Sequence, residues 1–129
     1  MILDTSALIA ILLNEPERDQ FIQAIAKHPD PIISAPTLVE ARMVAEARLG
    51  IEGKTKLEAL LKAGGIRTVA FDESLADTAH ESWREFGRGN SPARLNYGDC
   101  LSYALAKQTE RPLLCKGDDF TKTDIEPAA

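Results

Sequence analysis

Four acidic positions stand where this chain could do chemistry. Asp4 follows Met1 and the apolar pair Ile2-Leu3 at the very start and precedes Thr5-Ser6. Glu40 closes Pro36-Thr37-Leu38-Val39-Glu40, and Asp99 closes Leu95-Asn96-Tyr97-Gly98-Asp99. Asp118 and Asp119 share a glycine turn after Leu113-Leu114-Cys115-Lys116. Carboxylates brought together either raise one another's pKa values or hold a cation. Oxygen donors with no histidine or cysteine beside them suit the hard ions Mg²⁺ and Mn²⁺. Such an ion lowers the pKa of a water to make a nucleophile and stabilises charge on a phosphoryl group during in-line displacement. The substrate class that matches is a phosphodiester.

Each acid also has a plainer job open to it. Asp4 could cap a helix starting at Thr5. Asn96 and Asp99 have the spacing of a capping box, although Asp99 also shares a helix face with Ser102, Tyr103 and Ala106. Asp118 and Asp119 suit a tight turn. Glu40 could be a surface acid in an ion pair. Its helical neighbours Met43, Val44 and Ala47, however, predict an apolar stripe that would exclude an unpaired carboxylate. The set weighs more than its members, provided the fold brings them together.

The elements that must do so read as alternating strands and helices. Ile2-Leu3 is a short buried strand, followed by a turn at Asp4-Thr5-Ser6 and an apolar helix from Ala7 to Leu13. Pro16 suits the first turn of a second helix carrying Phe21, Ile22, Ala24 and Ile25. Ile32-Ile33-Ser34 is a second strand, and Ala35-Pro36 opens a helix through Leu49 with Gly50 just past its end. Ile51 to Leu61 is amphipathic, with Leu57, Leu60 and Leu61 on one side. Ile66 to Phe71 is the clearest strand pattern. Asp72 to Phe86 is helical, Gly87 to Leu95 a loop, Asn96 to Lys107 helical, and Pro112 to Cys115 a strand; Asp124-Ile125-Glu126 is expected to add a short edge strand. This alternation predicts an α/β fold in three layers, α/β/α, around a mostly parallel sheet of four or five short strands. Right-handed crossovers place the turns after the strands along one sheet edge, where such folds collect ligands.

Length and composition agree with a single domain over 1–129. The chain is 44% hydrophobic and 27% charged, which suits a packed globular fold. Its net charge of −5, from 15 basic and 20 acidic residues, argues mildly against a nucleic-acid partner, but a bound divalent ion would reverse the local field. Cys100 and Cys115 have no metal-finger spacing and read as free thiols. No basic leader precedes the apolar start, and no run approaches the roughly 20 apolar residues of a membrane span, so the expected location is cytoplasmic, with no membrane partner. His28 and His80 have no partner that suggests catalysis. Tyr97 could stack a base but is expected to be partly buried, and Trp83 and Phe86 are expected to belong to the core or a dimer surface rather than a nucleic-acid platform.

The four acidic segments, in order and spacing and over the whole chain, resemble the motifs of PIN-domain ribonucleases, most closely the VapC toxins of bacterial toxin–antitoxin pairs. The resemblance implies a metal-dependent endoribonuclease that cleaves single-stranded or looped RNA with Mg²⁺ or Mn²⁺. By position, Asp4 and Asp99 would be direct metal ligands and Glu40 would complete or steer the shell. Asp119 best fits the fourth acid, with Asp118 the alternative. Ser6 would orient Asp4 or a water. It further implies a homodimer and a VapB-like antitoxin whose C-terminal segment covers the acidic cleft, often with an arginine. Arg94 and Lys116, beside the third and fourth acids, are candidate phosphate contacts. Two other classes compete. A phospho-receiver domain would want an acidic pair after its first strand and an aspartate after its middle strand; Asp4 stands alone and Ile32-Ile33-Ser34-Ala35-Pro36 has none. A non-catalytic PIN-like binding module would not need all four acids.

Overall fold

The computed structural model describes all residues, Met1–Ala129. Its strands are β1 (Ile2–Leu3), β2 (Ile32–Ser34), β3 (Arg67–Val69) and β4 (Leu113–Leu114). Its helices are α1 (Thr5–Leu12), α2 (Arg18–Lys27), α3 (Ala35–Leu49), α4 (Glu52–Ala63), α5 (Glu73–Phe86) and α6 (Tyr97–Thr109). The four strands form one sheet in the order β3-β2-β1-β4, every pair parallel. Register aligns Ile2 with Ile32 and Leu113, and Leu3 with Leu114.

Very short strands suffice because each sends successive side chains to opposite faces. Leu3, Ile33 and Leu114 pack into a core shared with Leu8, Leu38, Leu57 and Leu61 from α1, α3 and α4. Ile2, Ile32 and Leu113 pack on the other face against Leu75 of α5 and Cys100, Tyr103 and Leu105 of α6. The sheet is thus the middle of three layers, as expected, with four strands and wholly parallel. The apolar run after Asp4 explains itself the same way: α1 buries Ala7, Leu8, Ile9, Ala10 and Ile11.

Several local expectations are corrected. The edge strand at Asp124-Ile125-Glu126 does not form. Asp124 is instead held by Tyr103 Oη at 2.7 Å and by Lys107 Nζ. The chain meets β4 only further on, where Leu113 N donates to Glu126 O (2.9 Å) and Ala128 N to Leu113 O (2.9 Å), a single parallel bridge at Pro127. Pro16 precedes α2 rather than opening it, since the helix starts at Arg18. The segment Ile66 to Phe71 contributes only Arg67–Val69, at the sheet edge, with Arg67 and Thr68 exposed. The supposed apolar stripe on α3 is not core: Met43 is 66% exposed, while Thr37, Leu38, Ala41 and Ala45 form the buried face. Tyr97 is 80% exposed, not partly buried.

Candidate active site

Each strand of a parallel sheet ends at the same edge, and here three of the four strand ends run into the site. Asp4 comes directly after β1, and its N–H donates to Leu114 O at 3.0 Å, tying the turn to β4. Ser34 ends β2 and caps α3, accepting from Thr37 N at 3.3 Å, so that Glu40 arises about one and a half turns along that helix. Lys116 and Asp119 follow β4. Asp99 comes from the first turn of α6, which packs across the sheet ends. Asp4, Glu40, Asp99 and Asp119 consequently line one pocket of about 380 Å³, together with Ser6 and Lys116. Asp118 does not line it, which separates the two aspartates of the glycine turn.

Two of the acids are buried and held. Asp4 is 6% exposed and its carboxylate is pinned through both oxygens. Oδ2 accepts from Ser6 N (3.1 Å) and Ser6 Oγ (2.6 Å), and Oδ1 accepts from Ser102 Oγ (2.6 Å). Ser6 is itself fixed, because its Oγ accepts from Lys116 N at 2.9 Å. Asp99, 7% exposed, accepts from Asn96 N at 3.0 Å while Asn96 Oδ1 accepts from Asp99 N at 2.9 Å, a complete capping box. The capping roles and the pocket positions therefore coincide. A strand that turns into a helix at this edge needs an acceptor for the first helical N–H groups, and an acid there does both.

The other two acids are looser. Glu40 Oε1 accepts from Thr5 Oγ1, and its Oε2 lies where a side chain on residue 98 would be: a Cβ built on Gly98 would sit 2.6 Å from it. Gly98 thus lets the α3 acid approach the start of α6 closely. Asp119 is exposed and its carboxylate has no hydrogen bond.

The field in this pocket is strongly negative. Five carboxylates line it, Glu15 being the fifth, against one ammonium, Lys116. That ammonium is engaged with Glu15 and lies 3.7 Å from Glu17, at the pocket rim. Burial, followed by the charges of Asp119, Asp4 and Glu40, pushes Asp99 up to about 6 against the pull of its hydrogen bond from Asn96. The Cys115 thiol is pushed up to about 12 by burial and by Asp4, Asp119 and Asp99, so it stays protonated and is no nucleophile. A donor set made only of carboxylate and hydroxyl oxygens, whose single cationic neighbour Lys116 is engaged with Glu15, is the chemistry that suits a hard divalent cation. The side chains are not drawn into a closed shell: as they stand, no three carboxylate, histidine or cysteine groups are close enough to share an ion. Asp4 and Asp99 are set, and Glu40 and Asp119 have room to move.

Of the remaining predicted site residues, Ser6 and Lys116 are at the pocket, and Arg94 is not. Arg94 lies on the exposed loop before α6 with a left-handed backbone (φ 57°), outside the acidic pocket. Ser102 was missed by sequence reasoning as a residue serving Asp4. Its position one turn after Asp99 was visible, but its bond to Asp4 spans 98 residues and has no local signature. Thr5 was likewise visible only as a neighbour of Asp4. No helix is long and apolar enough to cross a membrane.

The PIN domain family profile matches residues 1–126. The chain is 42% identical over 125 residues to Ribonuclease VapC of Mycolicibacterium smegmatis, covering 97% of both chains. It is 41% identical over 129 residues to Ribonuclease VapC30 of Mycobacterium tuberculosis, covering 100% of this chain and 98% of the other. Among solved structures it superposes on VapBC2 from Rickettsia felis, bound to a promoter DNA fragment (TM-score 0.75, 16% identity, covering 98% and 94%). It also superposes on Mycobacterium tuberculosis VapC20, a Sarcin-Ricin loop cleaving toxin (TM-score 0.73, 17% identity, covering 98% of each). The structures share the three-layer architecture, and the relatives match over nearly the whole length of the chain. By both measures this chain belongs to the PIN domain family, within its VapC ribonucleases.

Proposed function

We propose that the protein is a metal-dependent endoribonuclease of the toxin type, acting as one domain over residues 1–129 and hydrolysing phosphodiesters of single-stranded or looped RNA. The observation that carries this reading is the meeting of Asp4, Glu40, Asp99 and Asp119 in one pocket at the carboxyl edge of the sheet. Asp4 and Asp99 would hold Mg²⁺ or Mn²⁺, with Glu40 and Asp119 completing the site. When bound, that ion supplies an activated water and neutralises charge on the phosphoryl oxygens. The protein's own contribution is positional. Ser6 and Ser102 fix the rotation of the Asp4 carboxylate. The capping box fixes Asp99, Thr5 holds Glu40, and the acids together repel any phosphate not accompanied by a cation. Lys116 can contact a phosphate only by leaving Glu15. A VapB-like antitoxin presenting a basic side chain to this acidic pocket would block it by pairing with the same carboxylates. The protein acts in the cytoplasm, as a homodimer.

The test is cleavage of single-stranded RNA by the purified protein. With Mg²⁺ or Mn²⁺ the RNA should be cut, excess EDTA should stop the reaction, and Asp4→Asn with Asp99→Asn should abolish it in a protein that still folds. Undiminished cleavage by the pure double variant would falsify the assignment.

The open arrangement of the acids favours one second reading, a binding module on the same fold that does not cleave. Titration with Mn²⁺ separates the two, because a protein without metal affinity gains no thermal stability beyond a general salt effect.

A further inference from the structure

A second concavity adjoins the acidic pocket and differs from it in every chemical respect. It is a groove of about 600 Å³ between α5 and the start of α6, lined by Phe71, Ala79, His80, Trp83, Tyr97 and Leu101, with Arg88 on its border. Asn96 lines both the groove and the acidic pocket, so the two adjoin at that residue. Large aromatic side chains are normally withdrawn from water. In this chain only two are exposed, Trp83 at 47% and Tyr97 at 80%, and both lie on this groove.

Trp83 is also a positioned side chain. His80 stacks on it at 5.9 Å between ring centroids, with planes 14° apart. Its Cδ1 lies 2.5 Å from where a Cβ on Gly87 would be, so only glycine leaves it that place, and Asn90 Nδ2 donates to its carbonyl at 3.0 Å. The loop 87–95 is in turn closed by Arg88 N to Leu95 O (2.9 Å) and Leu95 N to Phe86 O (2.8 Å), which keeps Arg88 beside the groove.

Stacking faces, one guanidinium and a place directly beside a phosphodiester-directed acidic pocket are the features that receive a base of a single strand. We propose that this groove seats a nucleobase of the RNA adjacent to the scissile phosphate, stacked on Trp83 and Tyr97, with Arg88 contacting the flanking phosphate and Asn96 at the junction. The proposal rests on the ribonuclease reading and deepens it. It makes the groove, and not the acids, the part of the protein that prefers one base over another. Arg94, predicted as a phosphate contact, is replaced in this role by Arg88.

Trp83 is the only tryptophan of the chain, so its fluorescence reports on the groove alone. A fluorescein-labelled, mixed-sequence single-stranded 2′-O-methyl oligoribonucleotide is titrated in Mg²⁺ and followed by anisotropy, with Trp83 emission read in parallel on the unlabelled oligomer. The expected result is quenching of Trp83 with the same midpoint as the anisotropy change. Tyr97→Leu, a substitution at an exposed side chain, should weaken binding about tenfold and raise KM for unmodified RNA while kcat changes little. Binding with silent Trp83 emission, or cleavage with an unchanged KM in Tyr97→Leu, overturns the proposal and leaves the ribonuclease intact. Emission that follows protein concentration and ignores RNA also overturns it, showing a surface between two copies of the chain. If RNA is neither bound nor cut, the ribonuclease reading fails first and the groove proposal falls with it.

Discussion

The acidic pocket has two walls built on different principles. On one, Asp4 and Asp99 are buried at the first turns of α1 and α6, and every hydrogen bond they make is to a neighbouring element or their own helix start. On the other, Glu40 hangs from mid-helix by one bond from Thr5, and Asp119 stands exposed on a turn with none. The first wall is paid for by the fold, since its acids are also needed as helix caps. The second depends on whatever enters the pocket. A pocket made this way combines carboxylates fixed by the fold with carboxylates held by little, and substitutions on the two walls should behave differently.

The largest effect is expected on the fixed wall. Asp4→Asn keeps one oxygen for the α1 cap but loses the charge, and several kcal/mol of transition-state stabilisation is on the order of a thousandfold in rate. RNA cleavage should fall by that amount while the circular dichroism spectrum and melting temperature stay near those of the unaltered protein. A drop of less than tenfold would mean that Asp4 is only a cap.

Gly98→Ala probes the joint between the walls. The new methyl would meet the end of the Glu40 side chain, which is flexible and can swing aside, so stability should hardly change. The displaced carboxylate should still cost about ten- to a hundredfold in kcat/KM, as misplacement near a reacting centre does. Equal activity would show that Glu40 has no fixed place in the reaction.

Asp99 gives a pH signature to the fixed wall. Its folded pKa, about 6, is raised above the ordinary aspartate value, so the folded state binds the proton more tightly than the unfolded chain. Its contribution to stability is therefore full below about pH 4 and is lost as pH rises through about 6. In chelator, the unaltered protein should lose stability across that window relative to Asp99→Asn, which lacks the titration. Added Mg²⁺ should move this window to lower pH, because a cation beside Asp99 favours its ionised form. A flat stability difference between the two proteins would remove Asp99 as the titrating group.

The fixed wall was the more legible from sequence, for a physical reason. Caps and strand ends leave local signals, so the turn at Asp4, the box at Asn96 and Asp99, and the helix from Ala35 to Leu49 could be read at short range, as could the parallel sheet that gathers them. Glu40 does line the pocket with the other acids, but the premise that singled it out was mistaken. Met43 and Ala47 face outward and only Val44 packs against the core, and what admits Glu40 is Gly98, which is far away in sequence and leaves no periodic trace. Ser102 escaped notice for the same reason. The edge strand at Asp124 was lost to Tyr103 and Lys107, a tertiary pull that local propensity does not contain. The exposure of Tyr97 was hidden too, because the start of a helix looks alike whether its side faces a core or an open groove.

The smallest effect expected is the most discriminating for the loose wall. Asp118 and Asp119 are adjacent and both exposed, yet only Asp119 lines the pocket and adds to the charge felt by Asp99. Asp119→Asn should lower activity several-fold at limiting Mg²⁺, with partial recovery at high Mg²⁺, since a ligand recruited by the ion contributes to its affinity more than to the chemistry. Asp118→Asn should leave both the rate and its Mg²⁺ dependence unchanged. The metal-concentration profile is the decisive measurement, because an acid that merely shaped the turn would alter stability and leave that profile where it was. A reversed pattern, with Asp118 the sensitive position, would mean that the glycine turn rotates when the pocket closes and that the loose wall is rebuilt around the ion.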